Sequence, residues 1–286
     1  MLSFCLGSFG QENEKIDSLK TELGKQGIPD STRIRVYLDL SVEYRLFSKS
    51  KALGYTHQAL LLAKKTGNRK LELDSYLLSS LVYFFQEEID SALILSNKAL
   101  ELTNAFPELE DEKALVYDHL GYSHYYLGNY NKALHNFSLA LTIEERLNHL
   151  ERVSVLENKV GNCYAFLHDW EKALQAYQHS ISICESENYE TNLADVYVNM
   201  GTLKDDMGEG ATAKEYYLKA MEIYEGKNNQ SGMSTCYNNL GDYYNGEGEY
   251  ELALEYFKKS LMLDKEINDD YGICIDVFNI AEVHLA

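Results

Sequence analysis

Proline occurs only twice in 286 residues, at Pro29 and Pro107, and tryptophan once. A chain so poor in the residue that breaks helices and marks tight turns suits long uninterrupted helices, not a turn-rich β architecture. Cysteine is sparse as well. Cys5, Cys163, Cys184, Cys236 and Cys274 stand far apart with no CxxC pair, which excludes the disulfide framework of a small secreted domain. The last four are expected to be small core residues. No apolar run reaches the ~18 residues a membrane helix needs, so no membrane span is expected in this chain.

Positive charge is in deficit. The 26 Lys and Arg residues face 45 Asp and Glu, a formal charge of −19. Nucleic-acid binding rests on neutralising phosphates, so nucleic acid is not an expected partner. The deficit is uneven: residues 31–70 hold Arg33, Arg35, Arg45, Lys49, Lys51, Lys64, Lys65, Arg69 and Lys70 against only Asp39 and Glu43, a local charge of +7. Residues 71–286 carry −24. A basic head on an acidic body allows three readings of the head: a solvated face, a contact for an anionic partner or membrane surface, and self-association between basic N-terminal and acidic C-terminal halves of two copies.

Chemistry-bearing patterns are missing too. His119 and His124 lie five apart, and no HExxH, CxxC or His-x3-His grouping appears, so no metal is expected. His124 falls where Tyr164 stands in the next repeat, which makes it a packing residue with one satisfied nitrogen. No phosphate-cradling glycine loop, GxSxG elbow or oriented Cys/His pair can be assembled. The chain is read as a non-enzyme without a cofactor.

What is abundant is core material and repetition: 45% of residues are hydrophobic, with 23 Tyr and 10 Phe, enough for a folded protein. Gly121, Gly161, Gly201 and Gly241 recur every forty residues. Ala133, Ala173, Ala213 and Ala253 follow by twelve, Phe137, Tyr177, Tyr217 and Phe257 by sixteen, and Ala140, Ser180, Ala220 and Ser260 by nineteen. Two earlier units keep Ala52, Thr56 and Ala59, and Ala92, Ser96 and Ala99, with Ser in place of the first-helix Gly. One extra residue lies between the Ala92 and Ala133 anchors. Small residues let paired helices approach, and the aromatic is expected to fill the wedge between neighbouring pairs. The turns GNY, HDW, GEG and GEY place a polar or acidic residue at the start of each second helix, with Gly210 standing where an aromatic is usual. Asn148, Asn188, Asn228 and Asn268 are expected to take the left-handed conformation at helix ends.

The Gly, Ala, aromatic and small positions resemble the tetratricopeptide repeat, a resemblance covering about residues 31–286. It implies an all-α protein, a right-handed α-solenoid of helix pairs. The expected organisation is a helix over 11–28 that caps the array through Ile16, Leu19 and Leu23, then six repeats over 29–273, near 31–70, 71–111, 112–152, 153–192, 193–232 and 233–273. Residues 274–286 match the first helix of a truncated seventh repeat, with Ala281 in the Gly place. Residues 1–10, MLSFCLGSFG, read either as the remnant of a signal peptide, with small Ser8 and Gly10, or as an unstructured start. They lack a basic leader, and Cys5 lacks a small preceding residue. The first reading favours the periplasm and the second the cytoplasm. In style of sequence the chain also resembles the N-terminal sensory arrays of bacterial membrane-anchored histidine kinases, nucleotide cyclases and transcription regulators.

In this family the first helices line the concave face, so residues one, four and five past each Gly and three before it should project into a groove. Those positions carry Phe84, Asp118, Tyr122, Tyr125, Asn158, Asn162 and Phe166, then Asp205, Asp206, Asn238, Asp242 and Asn245. Aromatics bury partner side chains, amides bond a peptide backbone of any sequence, and carboxylates attract cations, so the expected partner is a protein or peptide with basic and apolar residues. The bland alternative is that the aromatics close gaps between first helices while the polar residues are merely hydrated. Two functions follow: the input region of a longer bacterial signalling protein, or a stand-alone adaptor.

Overall fold

The computed structural model describes residues 14–45 and 47–285; the readings on residues 1–10, Cys5 included, lie outside them. Among the described residues there are fourteen α-helices and no strand, with a short 3-10 turn, Pro107–Leu109. The helices are α1 (14–23), α2 (Asp30–Tyr44), α3 (Lys49–Thr66), α4 (Arg69–Phe84), α5 (Ile89–Ala105), α6 (Lys113–Tyr126), α7 (Tyr130–Arg146), α8 (Leu150–Phe166), α9 (Trp170–Glu187), α10 (Glu190–Asp206), α11 (Gly210–Lys227), α12 (Gln230–Gly246), α13 (Tyr250–Ile267) and α14 (Asp270–Leu285). The extra residue between the second and third anchors falls where the 3-10 turn buries Leu109.

The chain divides into two compact units, Met1–Leu147 and Asn148–Ala286. The first holds α1 and the antiparallel pairs α2/α3, α4/α5 and α6/α7. Ile16 of α1 is buried against Val36, Leu40 and Tyr44, so α1 covers the apolar face that α2 and α3 would otherwise present to water. The second unit holds the pairs α8/α9, α10/α11 and α12/α13, with α14 packed on α13. Within it, first helices touch first helices, α8 to α10, α10 to α12 and α12 to α14, whereas second helices make no comparable contact with one another. The stack of the second unit therefore carries its first helices on the inside of its curve.

The packing adds one contact to the sequence expectation. A Cβ on Gly121 would lie 2.6 Å from the ring of Phe137, and Gly161, Gly201 and Gly241 would collide likewise with Tyr177, Tyr217 and Phe257. Each aromatic thus rests on the glycine of its own pair, and in the second unit it also belongs to a core shared with the next first helix: Tyr177 with Val196, Met200 and Leu203, Tyr217 with Cys236 and Leu240, and Phe257 with Val283. In the second pair Ser80 and Ser96 take those two places and bond to each other at 2.8 Å, both buried. Asn148, Asn188, Asn228 and Asn268 have φ between 53° and 60°, the left-handed turns expected of them. Side-chain capping of second helices is rarer than expected: Asp169 accepts from the Lys172 amide, while Asn129, Glu209 and Glu249 make no such bond. Cys163, Cys184 and Cys236 are buried, but Cys274 is exposed, because no described helix covers that side of α14.

Candidate functional site

In the first unit, Phe84 of α4 meets Tyr122 and Tyr126 of α6 at ring-centroid distances of 4.8 and 4.7 Å, and the two tyrosines lie 4.9 Å apart. The cluster closes the crease between first helices while leaving Tyr126 58% and Phe85 47% exposed. One edge of the cluster packs between the helices and the other faces solvent. Burial and the neighbouring Tyr126 hydroxyl, 3.3 Å away, raise the Tyr122 pKa, so its hydroxyl stays protonated. Tyr125 packs on Tyr130 at 5.6 Å, and Asp118 is half-buried on α6. His124 Nδ1 is buried without a hydrogen-bond partner, and burial lowers the ring's pKa, with Lys132 adding to the effect; the ring is therefore held neutral.

In the second unit the amides are less available than their sequence positions suggest. Asn162 Oδ1 accepts a hydrogen bond from the Tyr177 hydroxyl at 2.6 Å. Asn158 accepts from Asn199 at 2.9 Å, and Asn238 accepts from Asn279 at 3.3 Å, so asparagines bridge successive first helices in the same register. Asn199 and Asn279 escape a reading confined to positions one, four and five past the glycine and three before it. Their signal is the recurrence of Asn199, Asn239 and Asn279 every forty residues. Phe166 is 53% exposed near the end of α8, and Asn245 is half-buried near the end of α12.

Asp205, Asp206 and Asp242 are exposed. Lost hydration raises the pKa of Asp205, and its neighbour Asp206 adds to this. Asp242 is pushed up to about 6, first by lost hydration and then by Asp205, Glu282 and Asp276. Its surface exposure moderates the first cause, but the crowding of carboxylates stands. Among the described residues no lysine or arginine forms an ion pair with Asp205, Asp206 or Asp242. The basic head behaves differently. Lys49 pairs with Glu88, Lys70 with Glu112 at 2.7 Å and Arg69 with Glu72 at 2.8 Å, while Lys51 lies over Tyr44 and Lys64 over Tyr76. Much of its charge is spent inside the first unit.

Among the described residues no group of three or more His, Cys, Asp and Glu is arranged to hold a metal, and no helix is long and apolar enough to cross a membrane. A tetratricopeptide-repeat family model matches residues 112–186 and 192–266, more than half of the chain. No curated protein sequence matches it. Among solved structures the chain is similar to the apo form of RapI (TM-score 0.70, 17% identity, 87% of this chain and 89% of that one). It is also similar to a Rap protein complexed with competence and sporulation factor (0.68, 18%, 89% and 86%). A third similarity, to the APC/C hetero-tetramer Cut9–Hcn1 (0.68, 14%), takes in 97% of this chain but only 47% of that one. With its helix pairs, its glycine-on-aromatic packing and that match, the chain belongs to the tetratricopeptide repeat family, all-α solenoids of paired helices that serve as protein-interaction scaffolds.

Proposed function

We propose that this chain binds a polypeptide segment carrying apolar and basic residues on the faces of its first helices, and that it takes no catalytic step itself. The observation that carries the reading is that, among the described residues, no lysine or arginine pairs with Asp205, Asp206 or Asp242 on the first helices of the second unit; the first helices of the first unit separately present Phe84, Tyr122 and Tyr126. Carboxylates that the fold does not neutralise attract a cationic partner, and half-exposed rings supply the apolar contact that holds it. Asparagines already bridging first helices play a positioning part in this scheme, while Asp118, Tyr125, Phe166 and Asn245 line the face.

The Rap structure complexed with competence and sporulation factor supports a finer version, in which the chain is the sensory input of a bacterial signalling protein. The stand-alone adaptor is the second reading, and the two predict the same face. Fluorescence anisotropy of a captured partner peptide against Tyr122→Ala and Asp242→Asn variants tests the shared claim. Each should weaken binding by about 1–2 kcal/mol, roughly five- to thirty-fold. Unchanged affinity in both refutes it. Protonating Asp242 removes its attraction for a cation, so affinity should also fall as pH drops through about 6.

A further inference from the structure

The first helices of the first two pairs carry opposite charges that the fold keeps apart. On α2, Arg35 and Asp39 stand one turn apart and share a face; on α4, Lys70 and Asp74 do the same. These four side chains, with Leu38, Asn68 and Leu71, line one cavity of about 300 Å³. Leu71 is buried and Leu38 half-buried, both in the core that holds Ile34, Ala59 and Ala63, so the cavity has an apolar floor under a charged rim. Arg35 and Asp39 are exposed and Asp74 is half-buried, which leaves the rim open to solvent.

No two charges on this rim form an ion pair with each other. Arg35 has no ion pair among the described residues, although it lies near enough to both carboxylates to pull the pKa of each downward. Lys70 pairs with Glu112 at 2.7 Å and leaves Asp74 without a cation; Lys15, the other cation near Asp39, pairs with Glu43. Loss of hydration is the largest effect on both aspartates and raises the pKa of each in spite of these cations. Asn68 Oδ1 accepts from the Leu71 amide at 3.1 Å, and the Asn68 side-chain N–H groups reach no acceptor among the described residues.

A guanidinium held beside two partly dehydrated carboxylates, and paired with neither, is complementary to a small molecule that carries both charges. Arg35 matches a carboxylate through two parallel N–H donors, with Asn68 supplying a third, and Asp39 and Asp74 match the three donors of an ammonium. An anion alone or an amine alone answers only half of the rim. The volume stands at the lower end of the ~300–1,000 Å³ of ordinary ligand pockets, room for one small molecule, and the leucine floor suits an aliphatic side chain. We propose that this cavity binds a free zwitterionic α-amino acid with an aliphatic side chain, its carboxylate at Arg35 and Asn68 and its ammonium between Asp39 and Asp74. The site shares no residue with the face assigned to polypeptide binding and does not depend on that role.

Isothermal titration of the full chain with L-leucine tests the site, at constant ionic strength and slightly below neutral pH, where the amines are charged. Two analogues each lack one charge: leucinamide has no carboxylate and 4-methylpentanoate has no ammonium. Leucine should bind, and each analogue should bind about tenfold more weakly or worse, the scale of a lost charge-assisted hydrogen bond. Arg35→Gln should weaken leucine binding about tenfold or more and abolish its advantage over leucinamide. Asp74→Asn should weaken it likewise and narrow its advantage over 4-methylpentanoate. Both changes fall on solvent-accessible side chains, and unchanged helicity in circular dichroism shows that each variant is folded. No leucine binding to the native chain overturns the proposal. So does equal binding of leucinamide, which reduces the site to two carboxylates attracting a cation, or of 4-methylpentanoate, which reduces it to an anion contact. Full leucine affinity in either folded variant overturns it as well.

Discussion

Position 161 takes glycine, which has no Cβ, because the Tyr177 ring occupies the space a Cβ would fill. Gly161→Ala should therefore destabilise the chain, since overpacking at ~1–3 kcal/mol outweighs the ~1 kcal/mol that alanine gains over glycine inside a helix. Ser80 and Ser96 show the alternative solution, two small hydroxyls bonded to each other. The double change Gly161→Ser with Tyr177→Ser should accordingly cost less than the sum of its single changes in urea unfolding; strict additivity would show that the two positions do not share a space. The recurrence of Gly and aromatic was legible in the sequence, but their contact was not, because a period gives register along the chain and not which ring lies on which backbone. Gly232 adds a case that no repeat announces: it leaves room for Tyr224, whose hydroxyl reaches Asp195 at 2.5 Å. Gly210 lacks the aromatic that opens other second helices, and the Tyr243 ring fills the gap.

Helix boundaries were the most readable feature, since Asn188, Asn228 and Asn268 end their helices in the left-handed conformation. Ile16, Leu19 and Leu23, whose spacing of three and four gives α1 one apolar edge, pack with Val36, Leu40 and Tyr44. Ile16→Ala should cost about 2–4 kcal/mol, measured as a lowered urea midpoint with little change in helicity at low denaturant. Less readable was α14, whose buried Asp276 contradicts the apolar character of its place in the repeat. Burial raises the Asp276 pKa to about 6, with Asp264 adding to the shift and hydrogen bonds from Asn238 and Ser260 opposing it. An unfolded aspartate titrates near ~3.9. Because the folded value is the higher one, protonation favours the docked helix. Its stability is fully present below about pH 4, declines as pH rises through about 6 and is level above that, a change on the order of 2 kcal/mol. Asp264, Asp242 and Glu282 are the other carboxylates on α12, α13 and α14 near it. Hydrogen exchange of α14, corrected for intrinsic rates, should slow on acidification in the native chain and lose most of that dependence in Asp276→Asn. An unchanged dependence would place its origin in the other carboxylates.

At the scale of the whole chain, the basic head and acidic body were plain from composition, but their consequences were not. Lys49, Arg69 and Lys70 already pair with glutamates of the first unit, so less positive charge remains for contact with another copy than the sequence count implies. The candidate face was legible only as a register. Side-chain commitments such as Asn162 to Tyr177 depend on which helices touch, and periodicity does not encode that. The central claim is that the first-helix face recognises a polypeptide with basic and apolar residues. Its most direct test is selection of a random displayed-peptide library on the native chain, followed by rebinding of the selected peptides to Tyr122→Ala, Asp242→Asn and a control changed at the second-helix residue Glu255, which already pairs with Lys259. The account predicts enrichment of sequences combining Lys or Arg with aromatic or aliphatic residues, binding that weakens about tenfold or more in the first two variants, and no change in the control. Peptides without basic residues, or binding that survives both first-helix changes, would contradict it.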